Sequence, residues 1–171
     1  MKDARARGAS GRARPPRTLK ARAIGFLARR DYACAELRTK LLALADAPSR
    51  DEVDALLDEL AALGYLSDTR FAHAVVRQKA GGWSRRAIAR TLKAKGVTGD
   101  DAAAALAGHD VDDDAALVAL WRRRFGKPPA DAREEARQVR FLQSRGFSLT
   151  AIFKLLRHPP PSDDEGPAEG T

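Results

Sequence analysis

One helix stop is written three times in this chain, and it limits the fold more than anything else does. Leu60-x-x-x-Gly64-Tyr65, Leu92-x-x-x-Gly96-Val97 and Leu142-x-x-x-Gly146-Phe147 share a grammar. The glycine takes the left-handed conformation that ends a helix without a Cβ clash. The apolar residue after it can fold back onto the leucine, as in a Schellman motif. Ser67, Thr98 and Ser148 then stand where the next helix needs a side-chain cap. This spacing predicts divergent repeats of about 45 residues with three short helices each. Units that small bury too little surface to be stable alone, so they must stack into an elongated body. Strand signals are missing, because β-branched residues are sparse and no run alternates. The expected fold class is therefore all-α, with repeats at 18–66, 67–108 and 109–157.

In the first repeat, Thr18 caps a helix running to about Arg30, with Leu19, Ala23, Phe26 and Leu27 inward. Asp31-Tyr32-Ala33 is a turn, and Cys34, Leu37, Leu41 and Leu44 form the inner face of the next helix. Cys34 on that face reads as a small core residue, not a nucleophile. Ser49 and Glu52 make a capping box. They open a helix with Val53, Leu56, Leu57, Leu60 and Leu63 inward, and Asp51, Asp54, Asp58 and Glu59 outward.

In the second repeat, Leu66 and Phe71 have the spacing of a hydrophobic staple around Ser67. Phe71, Ala72, Val75 and Val76 make an apolar face, Gly81-Gly82 ends the helix, and Ser84 caps the next one just after Trp83. There Ile88 and Leu92 point inward, while Arg86, Arg90 and Lys93 share an outward stripe at i, i+4, i+7. Thr98 opens an alanine-rich helix that runs to Ala107.

In the third repeat, Asp112, Asp113 and Asp114 load a helix N-terminus, and Arg122, Arg123 and Arg124 load its C-terminus, as the helix dipole favours. Leu117, Leu120 and Trp121 are inward. Asp131 and Glu134 cap the next helix, and Ser148 caps the last, with Leu149, Ile152, Phe153 and Leu156 inward.

Charge narrows the function. The 171-residue chain has a net charge of +8, which favours polyanionic partners such as nucleic acid. The charge is uneven: residues 1–18 carry net +5, 19–66 net −1, 67–108 net +5, 109–157 net +3 and 158–171 net −4. Residues 1–17, rich in Arg, Ala, Gly and Pro, read as a disordered basic arm, and 158–171 as a disordered acidic tail. No apolar run approaches the roughly 20 residues needed to span a bilayer. There is no secretory signal, so a cytoplasmic address is expected. The single cysteine excludes an internal disulfide framework and a cysteine-rich zinc site. Phosphate loops, dinucleotide fingerprints and metal-ligand spacings are missing. No catalytic residue, metal or cofactor is expected, and the chain reads as a binding protein instead of an enzyme.

The sequence resembles the RecX family, regulators of the RecA recombinase. The resemblance rests on Gly64-Tyr65-Leu66-Ser67-Asp68-Thr69-Arg70-Phe71-Ala72 and on the run from Ser84-Arg85-Arg86 through Ala94-Lys95-Gly96. Upstream, Ala35-Glu36-Leu37-Arg38-Thr39-Lys40-Leu41 matches the family's E-L-x-x-K-L segment, and downstream Phe141 to Ser148 matches its closing signature. Ala33 departs from the pattern, where the family often has a serine cap. The resemblance covers about Leu19 to Arg157. It implies three stacked three-helix repeats in a curved molecule, docked along the groove of a RecA–single-stranded DNA filament. There the protein would limit ATP hydrolysis, strand exchange or filament growth, as a monomer, touching DNA directly or through RecA alone.

On either basis the candidate contacts are Arg70, Arg77, Lys79, Arg85, Arg86, Arg90 and Lys93. Phosphate contacts by such residues give affinity without sequence choice. The plainer reading of each is a solvated helix face. The alternative function is a helix-turn-helix transcription regulator, since a basic helix of a three-helix unit can enter the major groove. Against it, the helix from Ser84 to Lys95 has no Asn or Gln to read adenine.

Overall fold

A computed structural model of the chain describes residues 18–46, 48–109 and 112–160. The expected basic arm and nearly all of the acidic tail lie outside the described residues. Among the described residues all regular structure is helical. The helices are α1 (Leu19–Leu27), α2 (Cys34–Leu42), α3 (Arg50–Ala62), α4 (Asp68–Lys79), α5 (Arg85–Ala94), α6 (Gly99–Ala107), α7 (Asp113–Arg124), α8 (Ala132–Ser144) and α9 (Leu149–Arg157).

The three stops form as expected. Gly64, Gly96 and Gly146 have φ of 75°, 83° and 92°. The N–H groups of Tyr65, Val97 and Phe147 donate to the carbonyls of Leu60, Leu92 and Leu142 at 2.9, 3.0 and 3.4 Å. The glycine N–H groups donate to Ala61, Lys93 and Gln143, completing three Schellman motifs. Each leucine is fully buried, so the stop also anchors a core. Ser67, Ser84 and Ser148 cap α4, α5 and α9 with side-chain bonds to the third residue on. The capping box of Ser49 and Glu52 is complete. Asp131 accepts from Glu134, whose own carboxylate accepts from the Ala130 N–H.

Three hydrophobic cores follow the chain in order. The first gathers α1–α3 around Leu37, Leu41, Leu57 and Leu60. The second gathers α4–α6 around Val76, Ile88, Leu92 and Ala105. The third gathers α7–α9 around Leu117, Trp121, Leu142 and Ile152. In the third core the buried Trp121 indole donates to Gln138 Oε1 at 2.9 Å, and Gln138 Nε2 donates to the Lys127 carbonyl, so a buried amide is satisfied. Side-chain hydrogen bonds between these units join the first to the second and the second to the third; among the described residues none joins the first to the third.

Some local expectations fail. Leu63 and Leu149, expected inward, are 56% and 45% exposed. Both lie at helix ends, where the periodic face has already turned outward. In α9 the buried pair is Ile152 and Leu155, with Phe153 and Leu156 only partly covered. Leu66 belongs to the first core and Phe71 to the second, so the pair marks the boundary between units and does not staple one helix. Tyr65 is 53% exposed, since only its backbone folds back. Thr98 precedes α6 without a side-chain cap bond, because the left-handed Gly99 carries the chain away from its hydroxyl. The first helix ends at Leu27, not near Arg30.

Candidate nucleic-acid and protein interface

The candidate cations divide into those that hold the array together and those left to solvent. Arg70, in the first turn of α4, is an internal clamp. Its Nε lies 3.1 Å from Asp31 Oδ1, and its Nη atoms donate to the Gly64 and Tyr65 carbonyls at 3.2 and 3.0 Å. Those carbonyls belong to the first stop, so Arg70 ties the turn before α2 and the end of α3 to α4. Arg85 is the first residue of α5. Its Nη1 donates to the Leu106 carbonyl at the C-terminus of α6, where a cation suits the dipole, and its backbone N–H donates to Asp113 Oδ1 at 2.6 Å.

Lys79, at the end of α4, places its Nζ 4.0 Å from the centroid of the Trp83 ring. Arg77, Arg86, Arg90 and Lys93 are exposed, and their side chains make no hydrogen bond or ion pair among the described residues. The last three share one face of α5, whose opposite face is anchored by the fully buried Ile88 and Leu92.

Sequence reasoning missed a second exposed basic face. Arg133, Arg137 and Arg140 of α8 repeat the i, i+4, i+7 spacing and line a shallow cleft of about 440 Å³ with Asp131 and Glu134. The spacing was visible in the sequence, but the two acids beside it disguised it as a mixed surface. It also missed a cleft of about 420 Å³ where α2 meets the end of α5, lined by Lys40, Lys93 and Lys95 beside Glu36 and Thr39.

Ion pairing follows the same division. Among the described residues six pairs form: Lys20–Glu59, Arg22–Asp46, Arg30–Glu36, Arg38–Asp54, Arg70–Asp31 and Lys95–Glu36. In all six the acid comes from the first unit. Glu36 receives both Arg30 and Lys95, and the Arg30 guanidinium holds its carboxyl below the usual range, opposed by burial and helped by Lys95. The acids of α6 and α7 are spent differently. Asp101 accepts from Thr69 Oγ1, Asp112 caps α7, and Asp113 bonds the start of α5. Among the described residues, α5 (Arg86, Arg90 and Lys93) and α8 (Arg133, Arg137 and Arg140) therefore present cations that no ion pair joins to an acid of their own units.

Cys34 is half-buried, and burial is the main cause of its raised thiol pKa, as suits a packing residue and not a nucleophile. Among the described residues no group of three or more His, Cys, Asp or Glu could hold a metal ion, and no helix is long and apolar enough to cross a membrane.

Residues 67–106 match the family model of the second three-helix domain of RecX, and residues 112–156 match that of the third. The Regulatory protein RecX of Ralstonia nicotianae is 43% identical over 145 residues, which cover 84% of this chain and 89% of that protein. This chain belongs to the RecX family. The Regulatory protein RecX of Leptothrix cholodnii is 44% identical over 144 residues, covering 84% of this chain and 90% of its own. The crystal structure of RecX from Lactobacillus salivarius has a similar fold, with a TM-score of 0.60 at 21% identity over 81% of this chain and 92% of that one.

The segments that carry the RecX resemblance are those at the junctions between units. Gly64 to Ala72 contains the Arg70 clamp and Asp68, whose carboxylate accepts from the Cys34 N–H. Phe141 to Ser148 contains Gly146, whose carbonyl accepts from Ser84 Oγ at 2.8 Å, and Arg145, whose carbonyl accepts from the Ser84 N–H. In these RecX-type junctions the second-helix stop of one unit is seated on the second-helix start of the unit before.

Proposed function

We propose that this chain modulates the RecA recombinase, mainly as an inhibitor, by binding the RecA–single-stranded DNA filament and limiting ATP hydrolysis, strand exchange or filament growth. It acts as a monomer in the cytoplasm, with repeats 18–66, 67–108 and 109–157 as its working divisions. The observation that carries the reading is the charge division. The first unit pairs its acids with cations, while among the described residues α5 and α8 leave two stripes of cations without an ion pair. A linear array with such stripes fits a long polyanionic or acidic partner better than a small ligand. Membership of a family of regulatory proteins supports a binding role over catalysis.

Arg77, Arg86, Arg90 and Lys93 are the proposed contacts, with Lys79 beside them. Arg70 and Arg85, though exposed, bond neighbouring carbonyls and hold the helices that carry the surface. The transcription-regulator alternative gains no support from the relatives, which are named Regulatory protein RecX. The test is RecA's ATPase on single-stranded DNA with the protein titrated in. Inhibition by the native chain, weakened in Arg86→Glu/Arg90→Glu at unchanged helicity, is the expected result. No inhibition by the native chain overturns the proposal.

A further inference from the structure

Between the second and third units lies a cluster that no charge-pairing argument absorbs. Trp83 is partly buried against the second core and sits in the short link before α5. Lys79 Nζ lies 4.0 Å and Arg145 Cζ 4.7 Å from its ring centroid. Arg145 Cζ also lies 5.0 Å from the Phe141 ring, which Arg124 approaches at 5.7 Å. Arg123 Nη2 comes within 3.6 Å of where a Cβ on Gly82 would stand. No carboxylate pairs with any of these four cations among the described residues.

The arrangement is rigid where it needs to be. The Ser84 N–H donates to the Arg145 carbonyl at 3.1 Å, and Ser84 Oγ donates to the Gly146 carbonyl, so the residue after Trp83 is pinned to the residue that flanks its ring. Aromatic rings interleaved with unpaired cations are the chemistry that binds single strands: bases stack on the rings while the cations take the phosphates. Duplex DNA keeps its base faces inside and cannot use such a platform.

We propose that Trp83, flanked by Lys79 and Arg145, is a stacking platform for an unpaired nucleobase, so that the chain touches single-stranded DNA directly. On binding, a base replaces the Lys79 ammonium over the indole, and the lysine moves to a neighbouring phosphate. This deepens the filament-binding reading, and rests on it for its biological setting only.

The test uses the full chain without RecA and two probes of equal length, an oligo-dT and an abasic oligonucleotide, read by anisotropy and tryptophan emission. Trp121 is buried and hydrogen-bonded to Gln138, so a change on binding reports Trp83. The expected result is altered emission with oligo-dT, tighter binding of oligo-dT than of the abasic strand, and about 10-fold weaker oligo-dT binding in Trp83→Leu with Trp83→Tyr near native. Equal binding of the two probes by the native chain overturns the proposal, and needs no variant to fold. Absence of oligo-dT binding also overturns it, and a RecA ATPase that is still inhibited then leaves the filament reading standing. Oligo-dT binding with altered emission but no ATPase inhibition is the converse outcome: the platform stands and the filament reading falls.

Discussion

The carboxylate of Asp68, at the start of α4, accepts a 2.7 Å hydrogen bond from the backbone N–H of Cys34, at the start of α2. Helix N-termini leave their first N–H groups without intrahelical partners. The N-cap of α2 is Ala33, which has no side chain able to cap it, and the next unit supplies the missing acceptor. Asp113, at the start of α7, does the same for Arg85 at the start of α5. In both cases the first helix of one unit caps the second helix of the unit before. The junctions are thus built from helix-end chemistry as much as from apolar contact.

Asp68→Ala is expected to lower stability by about 1–2 kcal/mol, the usual cost of losing a charge-assisted cap. Asp113→Ala is expected to cost a similar amount at the other junction, and the two losses to add because the sites share no partner. Urea unfolding of the two single variants and the double variant measures both points. A strongly non-additive double variant would show that the junctions communicate.

Glycine substitutions separate the stops that only end helices from those that also seat a neighbour. A Cβ on Gly64 would meet nothing within 4 Å, so Gly64→Ala should cost about 1–2 kcal/mol from its left-handed backbone alone. A Cβ on Gly146 would come within 2.5 Å of Ala87 Cβ and 2.6 Å of Ser84 Oγ, adding about 1–3 kcal/mol of overpacking. Gly96, 2.5 Å from Ala35 Cβ by the same measure, should behave like Gly146. Denaturation midpoints in the order native, Gly64→Ala, then Gly96→Ala and Gly146→Ala are the expected outcome.

Glu36 gives the first junction a pH dependence. Its side chain is 15% exposed and bonds Arg30 at 3.0 Å and Lys95 at 2.7 Å. The Arg30 hydrogen bond, against burial and with help from Lys95, depresses its folded pKa. The stability it contributes is therefore present above the unfolded value of about 4.3, and is lost as pH falls through the depressed folded value. Glu36→Gln should be less stable than the native chain near neutral pH, with the gap closing in acid. Unfolding free energies measured across that window check the sign.

Much of this was legible in the sequence, and what was not has a common cause. Stops and caps are local, so Gly64, Gly96, Gly146, Ser49, Ser67 and Ser148 could be read from spacings of a few residues. The roles of Arg70 and Arg85 could not. Their partners Asp31 and Leu106 lie 39 and 21 residues away; stacking of units brings Asp31 to Arg70, and the packing of α5 on α6 brings Leu106 to Arg85. Both residues therefore looked like surface cations of the same kind as Arg86 and Arg90. The Trp83–Arg145 contact crosses 62 residues and left only an unexplained tryptophan before a cap. Leu63 and Leu149 mislead for a different reason: periodicity assigns faces well within a helix and poorly at its ends.

The structure separates binding cations from structural ones by outcome. Arg70→Ala should lower the unfolding midpoint, because it frees the Gly64 and Tyr65 carbonyls and Asp31 together. Arg90→Ala should leave the midpoint nearly unchanged and weaken filament binding, less so as salt is raised. Thermal melts paired with binding at two ionic strengths distinguish them.

The central claim is that location, not total charge, gives the cations of the second unit their role. Two charge-matched variants test it: Arg86→Glu/Arg90→Glu on α5, and Lys20→Glu/Arg38→Glu in the first unit, whose exposed pairs with Glu59 and Asp54 contribute little stability. Affinity for the RecA–single-stranded DNA filament is measured for both beside the native chain at one salt concentration. The account predicts a loss of at least about 10-fold for the α5 variant and near-native binding for the other. Equal losses in both, or none in either, would contradict it.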